Sequence, residues 1–387
     1  MTAMPGVIGK PPELGPLPAI SPSRAVGMQA CALREVWAAG GSPAMLPTTP
    51  AARLGTVSHR LLEEAGRGDF ERADTEALER RWDELVASSD QSAASSWLDR
   101  HLVPLNLAVP DYEVRKLKTL SKATMLAARA KAIPQSGGGV DAVLVGSEVP
   151  VASPDGAAAG RIDAIVPGAD GPVIRDYKSG AIYEAQGGPD RMVKEEYAAQ
   201  LRLYAAIYAL MTSRWPSRLE VVPLQGEPVI VTFTRAECLR LLNQAIRLRE
   251  DINRVIESAA PLADRIDRLA SPAPRTCSYC GYRPQCGPYM SGLQAPRGPS
   301  WPSDAVGQLT ELRTLGNGRR ALGMATGTIV TWVRGISSVR GRHPALELAK
   351  PGDVIGAFNL RPAGSDSSFT EGPFTVFYKL APPEHMS

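Results

Sequence analysis

Gly160-Arg161-Ile162-Asp163-Ala164-Ile165-Val166 and Val173-Ile174-Arg175-Asp176-Tyr177-Lys178 are the runs whose reading decides the fold. Between them lies Pro167-Gly168-Ala169-Asp170-Gly171-Pro172, so two β-branched segments around a turn predict an antiparallel hairpin. Alternate side chains of a strand share a face, which puts Asp176 and Lys178 together and Tyr177 on the other side. The turn carries Asp163 beside them. Two carboxylates and an ammonium converging among Ile and Val are costly unless something binds there. Hard oxygen donors suit Mg²⁺ or Mn²⁺, which keep waters and take phosphate oxygens. Such an ion lowers the pKa of a bound water and offsets charge on a reacting phosphate, while Lys178 positions that water or stabilises the charge. The spacing alone fits a surface hairpin with ordinary charges equally well.

Outward from the hairpin, Ser23 to about Val103 is helical, as the spacing of Leu54, Val57, Leu61 and Leu62 indicates. That segment holds Gly55-Thr56-Val57-Ser58-His59, and His59 is one of only four histidines. A neutral imidazole is a reasonable metal ligand, although a lone His beside Leu61 and Leu62 is more often structural. Arg115–Lys131 reads as a basic helix ending at Pro134 and Gly137-Gly138-Gly139. Its Lys116, Lys118 and Lys122 are candidate DNA-phosphate contacts, or simply a solvated face. Val140–Val149 is a further strand candidate, and another strand is expected near Val229–Thr234. Helices are expected at Arg191–Met211 and Arg235–Ile256. In the first of these, Gln200 and Tyr204 stand at i, i+4, with Tyr197 one turn earlier. Their polar tips would order Lys178 or reach a DNA backbone; the alternative is a partly buried amphipathic face.

The 387 residues are 44% hydrophobic with a formal net charge of +3, which fits a globular chain of two or three domains. That charge permits a polyanionic partner without demanding one. No apolar run approaches the roughly 18–20 residues of a membrane span, and Met1–Ala19 lacks a signal-peptide pattern, so a cytoplasmic protein with no membrane association is expected. A G-x-x-x-x-G-K-S/T loop, a Ser-His-Asp arrangement and a dinucleotide fingerprint are all missing. We divide the chain into a flexible leader (1–20), a core domain bearing the hairpin (21–290), a linker (291–303) and a small β-rich domain (304–387). Four of the six phenylalanines, Phe358, Phe369, Phe374 and Phe377, fall in the last. Its strand-like runs, among them Gly327–Val333 and Pro373–Leu380, suggest a barrel of the oligonucleotide-binding kind. Such a barrel would hold single strands through Trp332 and its aromatics, or use those aromatics to fill its core.

Three of the five cysteines form Cys277-x2-Cys280-x5-Cys286. An odd count clustered on one loop points to metal rather than to disulfides, and three thiolates want a fourth ligand. Cys238, within an apolar helix, reads as a small buried residue. Count alone leaves zinc and iron–sulfur both open.

The ordered series Gly55–His59, Glu148, Gly160-Arg161-Ile162-Asp163, Asp176-Tyr177-Lys178 and Gln200-x-x-x-Tyr204 resembles the RecB/AddB-type nuclease domain of the PD-(D/E)XK superfamily. That group includes bacterial recombination exonucleases and a CRISPR-associated iron–sulfur nuclease group. The resemblance covers about residues 21–290 and implies a restriction-endonuclease-like α/β core, a mixed sheet flanked by helices. It implies His59, Asp163, Asp176 and the Tyr177 carbonyl as Mg²⁺ or Mn²⁺ ligands. Lys178 would be the catalytic lysine, with Gln200 and Tyr204 supporting the site and the DNA; Glu148 matches a frequent family glutamate. Iron–sulfur members carry one cysteine before the core and three after it in this spacing, which implies a 4Fe–4S cluster on Cys31, Cys277, Cys280 and Cys286. The usual Cys-Pro-Arg at the first position reads Cys31-Ala32-Leu33-Arg34 here. Closing so long a loop would contribute on the order of several kcal/mol. The expected activity is a DNA exonuclease on single-stranded or end-bearing DNA in repair or recombination, any helicase being a separate partner. Competing expectations are a non-hydrolytic iron–sulfur DNA-binding scaffold subunit of a helicase–nuclease complex and a zinc-stabilised interaction module.

Overall fold

Two sheets organise the chain in the computed structural model, which describes residues 4–70, 74–130, 146–184, 192–294, 298–364 and 367–380. The first sheet has the order β2–β3–β4–β5–β6, with β2 Gly146–Ala152, β3 Ala159–Gly168, β4 Gly171–Lys178, β5 Arg218–Pro223 and β6 Val229–Val231. β3 and β4 form the expected hairpin, tightened to the turn at Ala169-Asp170 between Gly168 and Gly171. Gly171 has φ +128°, a conformation that favours glycine. β4 and β5 are parallel and the other neighbours antiparallel, so the sheet is mixed. Helix α7 (Glu195–Thr212) makes the crossover between the parallel pair.

Helices cover both faces. On one side α1 (Pro22–Ala30), α2 (Ala32–Ala39), α7 and α8 (Arg235–Ile256) pack against Ile162, Ile165, Ile174, Leu219 and Val221. On the other, α3 (Pro50–Arg67), α4 (Thr75–Ser95) and α6 (Tyr112–Ala130) pack against Ala164, Tyr177 and Val222. α7 is apolar nearly all round, with Ala198, Leu201, Ala205, Ala206 and Ile207 buried, as a central helix should be. α3 starts where the Thr49 side chain accepts from the Ala52 N–H and ends at left-handed Gly68. This is the restriction-endonuclease-like core.

The second sheet begins with β1 (Val7–Ile8) at one edge and has the order β1–β13–β10–β7–β8–β9–β12–β11. β7 (Ala305–Thr314), β8 (Arg320–Thr326) and β9 (Ile329–Ile336) form a meander; α12 (Pro344–Leu348) then leads to β10 (Val354–Phe358), which returns beside β7. β11 (Arg361–Pro362) and β12 (Ser368–Thr370) form a short hairpin. β12 runs parallel to β9, and β13 (Val376–Leu380) antiparallel to β10. β12 and β13 thus serve as two pieces of one interrupted strand, β12 beside the β9 end of the meander and β13 beside β10, which lies on β7. That connectivity is of the oligonucleotide-binding barrel kind. Leu309, Leu322, Met324, Val333, Ile355 and Phe377 fill its interior.

One expectation needs correction, and two points are added to the sequence reading. Residues 4–20 are not a loose leader: β1 (Val7–Ile8) pairs with β13, and Leu17 and Ile20 are buried in the core against the first sheet. Asn253 of α8 grips Leu17 through both backbone groups, at 2.8 and 3.0 Å. The strand β5 is not among those expected. The expected linker is spanned by side chains, because buried Arg283 donates to Asp304 at 2.8 Å and to Asn359 at 2.6 Å. Residues 140–145, Lys131, Pro134 and the three glycines at 137–139 lie outside the described residues.

Candidate active site

α3 lies close on the sheet because two of its residues lack side chains. A Cβ on Gly66 would sit 2.8 Å from Ser147 Oγ, and one on Gly55 would sit 3.3 Å from Ser179 Oγ. Between these approaches His59 faces β3, its Nε2 3.5 Å from Asp163 Oδ2, while its Nδ1 bonds Glu63 one turn further along. The β3–β4 ladder runs from the turn as far as Ala164–Arg175. Beyond that point the Asp163 carboxylate itself accepts the Tyr177 N–H, at 2.8 Å.

Asp176 and Lys178 share the α7 side of β4 and Tyr177 points into the opposite core, as alternation requires. Lys178 Nζ lies 2.7 Å from Asp176 Oδ2 and 3.4 Å from Gln200 Oε1, with its charge 4.8 Å from the centre of the Tyr197 ring. Gln200 Nε2 in turn donates to Asp176 Oδ1 at 3.0 Å. A closed Asp–Lys–Gln triangle results, with Asp176 and Gln200 buried and the Lys178 side chain partly exposed. Tyr204, one turn on, is held well above the usual phenol range by burial and then by Asp163 and Asp176. Gly160 makes room for it: a Cβ there would meet the Tyr204 Oη at 3.2 Å and Pro22 Cδ at 3.0 Å. Of the residues expected to act, His59, Asp163, Asp176, Lys178, Gln200 and Tyr204 therefore meet in one place.

Two acids complete the cluster. Glu63 is not among the residues expected to act, although its i+4 spacing from His59 is a readable signal. Glu148, at the edge in β2, has φ +55°, a left-handed backbone that non-glycine residues rarely take. Ile162 and Ile165 fall in the same core although three residues apart, so strand alternation breaks beside Glu148 and Asp163. Burial, then Glu63 and Asp163, push the Glu148 carboxyl up to about 7. Hydrogen bonds to Asp163 and Glu63 raise His59 to about 10, and burial raises Asp176 against the pull of Lys178. All three shifts favour proton uptake, so this donor set is short of positive charge. Oxygen-rich and electron-rich, it fits a hard divalent cation. The donors are paired with one another, and among the described residues no three His, Cys, Asp or Glu side chains surround a common point.

The cysteines gather elsewhere. Cys31 joins α1 to α2, and Cys277, Cys280 and Cys286 lie in the segment beside it, near enough that the other cysteines add to the rise of the Cys280 and Cys286 thiols. Burial pushes Cys280 to about 11 and Cys286 to about 12, so these thiols would ionise only with a cation to hold them. Arg283 supports the loop by donating to the Cys277 carbonyl at 2.7 Å. Cys238 is fully buried in α8.

The basic helix is less basic than its sequence. Lys116 is tied to Asp83 at 2.9 Å and Arg115 to Asp111 at 2.8 Å. Lys118 and Lys122 are half-buried, whereas Val114 and Leu117 are 51% and 66% exposed. Among the described residues no helix is long and apolar enough to cross a membrane.

A family model described as the PD-(D/E)XK nuclease superfamily matches residues 19–287. Searches of curated proteins and of solved structures give no match. The matched span contains the mixed sheet, both helical layers and every residue of the carboxylate–lysine cluster, and the chain belongs to the PD-(D/E)XK nuclease superfamily.

Proposed function

We propose that the chain is a metal-dependent deoxyribonuclease of the RecB/AddB-like kind, an exonuclease on single-stranded or end-bearing DNA in repair or recombination. The observation that carries this reading is the triangle of Asp176, Lys178 and Gln200 beside the Asp163 carboxylate. His59, Asp163, Asp176 and the Tyr177 carbonyl would hold Mg²⁺ or Mn²⁺. Such an ion supplies an acidified water and neutralises charge on the scissile phosphate. Lys178, held between Asp176 and Gln200, would present its ammonium to the attacking water and the phosphate oxygens. Gln200 fixes that ammonium, which has several rotatable bonds to lose. Tyr204 braces Gln200 and stays a neutral phenol able to donate to a DNA backbone. Lys116, Lys118 and Lys122 remain proposed phosphate contacts, Lys116 only after leaving Asp83.

Cys31, Cys277, Cys280 and Cys286 would carry a 4Fe–4S cluster with a structural role, since they lie apart from the carboxylates. The complete Asp163, Asp176 and Lys178 set favours hydrolysis over a scaffold role. The deciding test is cleavage of 5′- and 3′-labelled single- and double-stranded DNA by anaerobically purified protein, with Mn²⁺ or EDTA, beside Lys178→Ala. Cutting that needs metal and Lys178 supports the reading and gives the polarity. No cutting by protein holding about four irons moves the assignment to the scaffold or to a missing helicase partner.

A further inference from the structure

The barrel carries one large aromatic side chain where its core has no use for it. Leu322, Met324 and Val333 point inward, and Phe358 and Phe377 are fully buried. Trp332 of β9 lies on the outer face, between Gly323 of β8 and Ser368 of β12 in register. A Cβ on Gly323 would sit 3.2 and 3.4 Å from two indole carbons, so the missing side chain is what lets the ring lie down on the sheet. Two guanidinium groups flank it, Arg313 at 5.4 Å and Arg334 at 5.8 Å from the ring centre. Arg334 is exposed and donates to Ser368 Oγ at 3.2 Å. Arg313 has an exposed carboxylate, Glu311, at 3.6 Å, a pairing that solvent makes weak. A π surface with two cations and one loosely held acid matches an unpaired base with its flanking phosphates.

β9 continues past Arg334 to a second feature. Ser337 lines a cavity of about 360 Å³ together with Arg319, Arg342, His101 and Glu371. Arg342 is 9% exposed, and its Nη1 has no hydrogen-bond partner. Glu371 offsets part of that charge, at 3.5 Å from Arg342. His101 belongs to the nuclease core, and the neighbouring Leu102 carbonyl accepts from Arg53 of α3, the helix that bears His59. A strand laid along β9 therefore has a cationic pocket next on its path, where the barrel meets that core.

We propose that the outer face of the barrel binds single-stranded DNA, stacking a base on Trp332 and holding phosphates on Arg313 and Arg334, with the Arg319–Arg342 pocket taking a further phosphate. Duplex DNA conceals its base faces and would not use the indole. The proposal rests on DNA being the substrate, and it names the strand form that this domain selects.

The test uses the full chain carrying Lys178→Ala, so that DNA stays intact, with a dye-labelled oligo-dT and a duplex of equal length read by anisotropy. Trp332→Ala should weaken oligo-dT binding about 5- to 100-fold and leave duplex binding unchanged, whereas Trp332→Phe, which keeps a stacking face, should stay near the parent. Arg313→Ala with Arg334→Ala should lower the slope of log affinity against log salt by about 0.7 for each phosphate no longer neutralised. Oligo-dT binding unchanged in Trp332→Ala overturns the proposal, as does an equal loss for both DNAs. If the chain with Lys178 intact cuts nothing while Trp332-dependent binding holds, the nuclease reading fails and this one stands.

Discussion

Arg283 and Asp304 form an ion pair that solvent does not reach: Nε lies 2.8 Å from Oδ2, and the side chains are 2% and 0% exposed. Asp304 also takes the Tyr289 hydroxyl and the Asn359 N–H, each at 2.7 Å. The pair joins the cysteine loop to the first barrel strand. Removing one partner strands a buried charge, so Asp304→Ala should cost about 3–5 kcal/mol in urea unfolding. The joint change Arg283→Met with Asp304→Leu should cost less than either single change. A double variant as unstable as the sum of the singles would contradict a stranded-charge penalty.

Gln200→Ala leaves Asp176 without one donor and Lys178 without one acceptor. Hydrogen bonds to charged groups are worth about 1.5–3 kcal/mol, so the maximal cleavage rate should fall about 10- to 100-fold. DNA affinity should change little. A loss confined to affinity would show that Gln200 binds substrate instead of ordering the lysine.

Gly160→Ala tests the passage of Tyr204. The new methyl would press on Tyr204 and Pro22, and overpacking of this kind costs about 1–3 kcal/mol. A lower melting temperature and slower cleavage are expected together. Pairing the change with Tyr204→Phe, which removes the close hydroxyl, should recover part of the melting loss and little of the activity.

Cation binding to the folded chain alone must stabilise it. Adding Mn²⁺ to EDTA-treated protein should raise its melting temperature. Asp163→Asn, which keeps the shape of the acceptor for the Tyr177 N–H, should abolish most of that rise. An equal rise in both proteins would place the ion elsewhere.

His343 is fully buried beside Glu371, at 2.9 Å, and burial holds its pKa below the usual 6.5 despite that hydrogen bond. Above pH 6.5 it is neutral folded and unfolded, and adds nothing to pH dependence. Below 6.5 the unfolded chain takes up a proton that the folded chain refuses, which costs stability by up to about 1.4 kcal/mol per pH unit. His101 is shifted the same way by burial, whereas His59 is shifted upward and works in the opposite sense. The measurement is therefore the difference between parent and His343→Gln in urea midpoints from pH 7.5 to 5.5. The variant should gain on the parent as pH falls; parallel curves would mean that His343 stays unstrained by protonation.

Local rules reach most of the geometry of the candidate site because the residues that form it are local. Alternation sets Asp176 and Lys178 on one face, the turn brings Asp163 across, and helical spacing puts Gln200 and Tyr204 together. α8 spans Arg235–Ile256 as its periodicity predicts. The failures have distant causes. Leu17 and Ile20 are sparse apolar residues among prolines, and the partner that fixes Leu17 is Asn253. The short apolar run of β5 gains strand character from its neighbours in the sheet, parallel β4 and antiparallel β6. A left-handed glutamate leaves no signature in composition, so nothing in the sequence marks the break at Glu148. Lys116 looks like a solvated cation along its own helix, and the carboxylate that holds it, Asp83, comes from another.

The parallel pairing of Val7–Ile8 with Lys379–Leu380 sets an order of events during synthesis. A parallel pair needs a crossover, and here the crossover is the nuclease core and most of the barrel. Val7 and Ile8 leave the ribosome long before their partner strand, so the segment waits unpaired while the core condenses. Only then can it cover the outer edge of β13, which left bare would be a template for pairing with another chain. The pairing thus joins segments made far apart in time, and a chain halted before residue 376 would hold its folded core with β1 still untied.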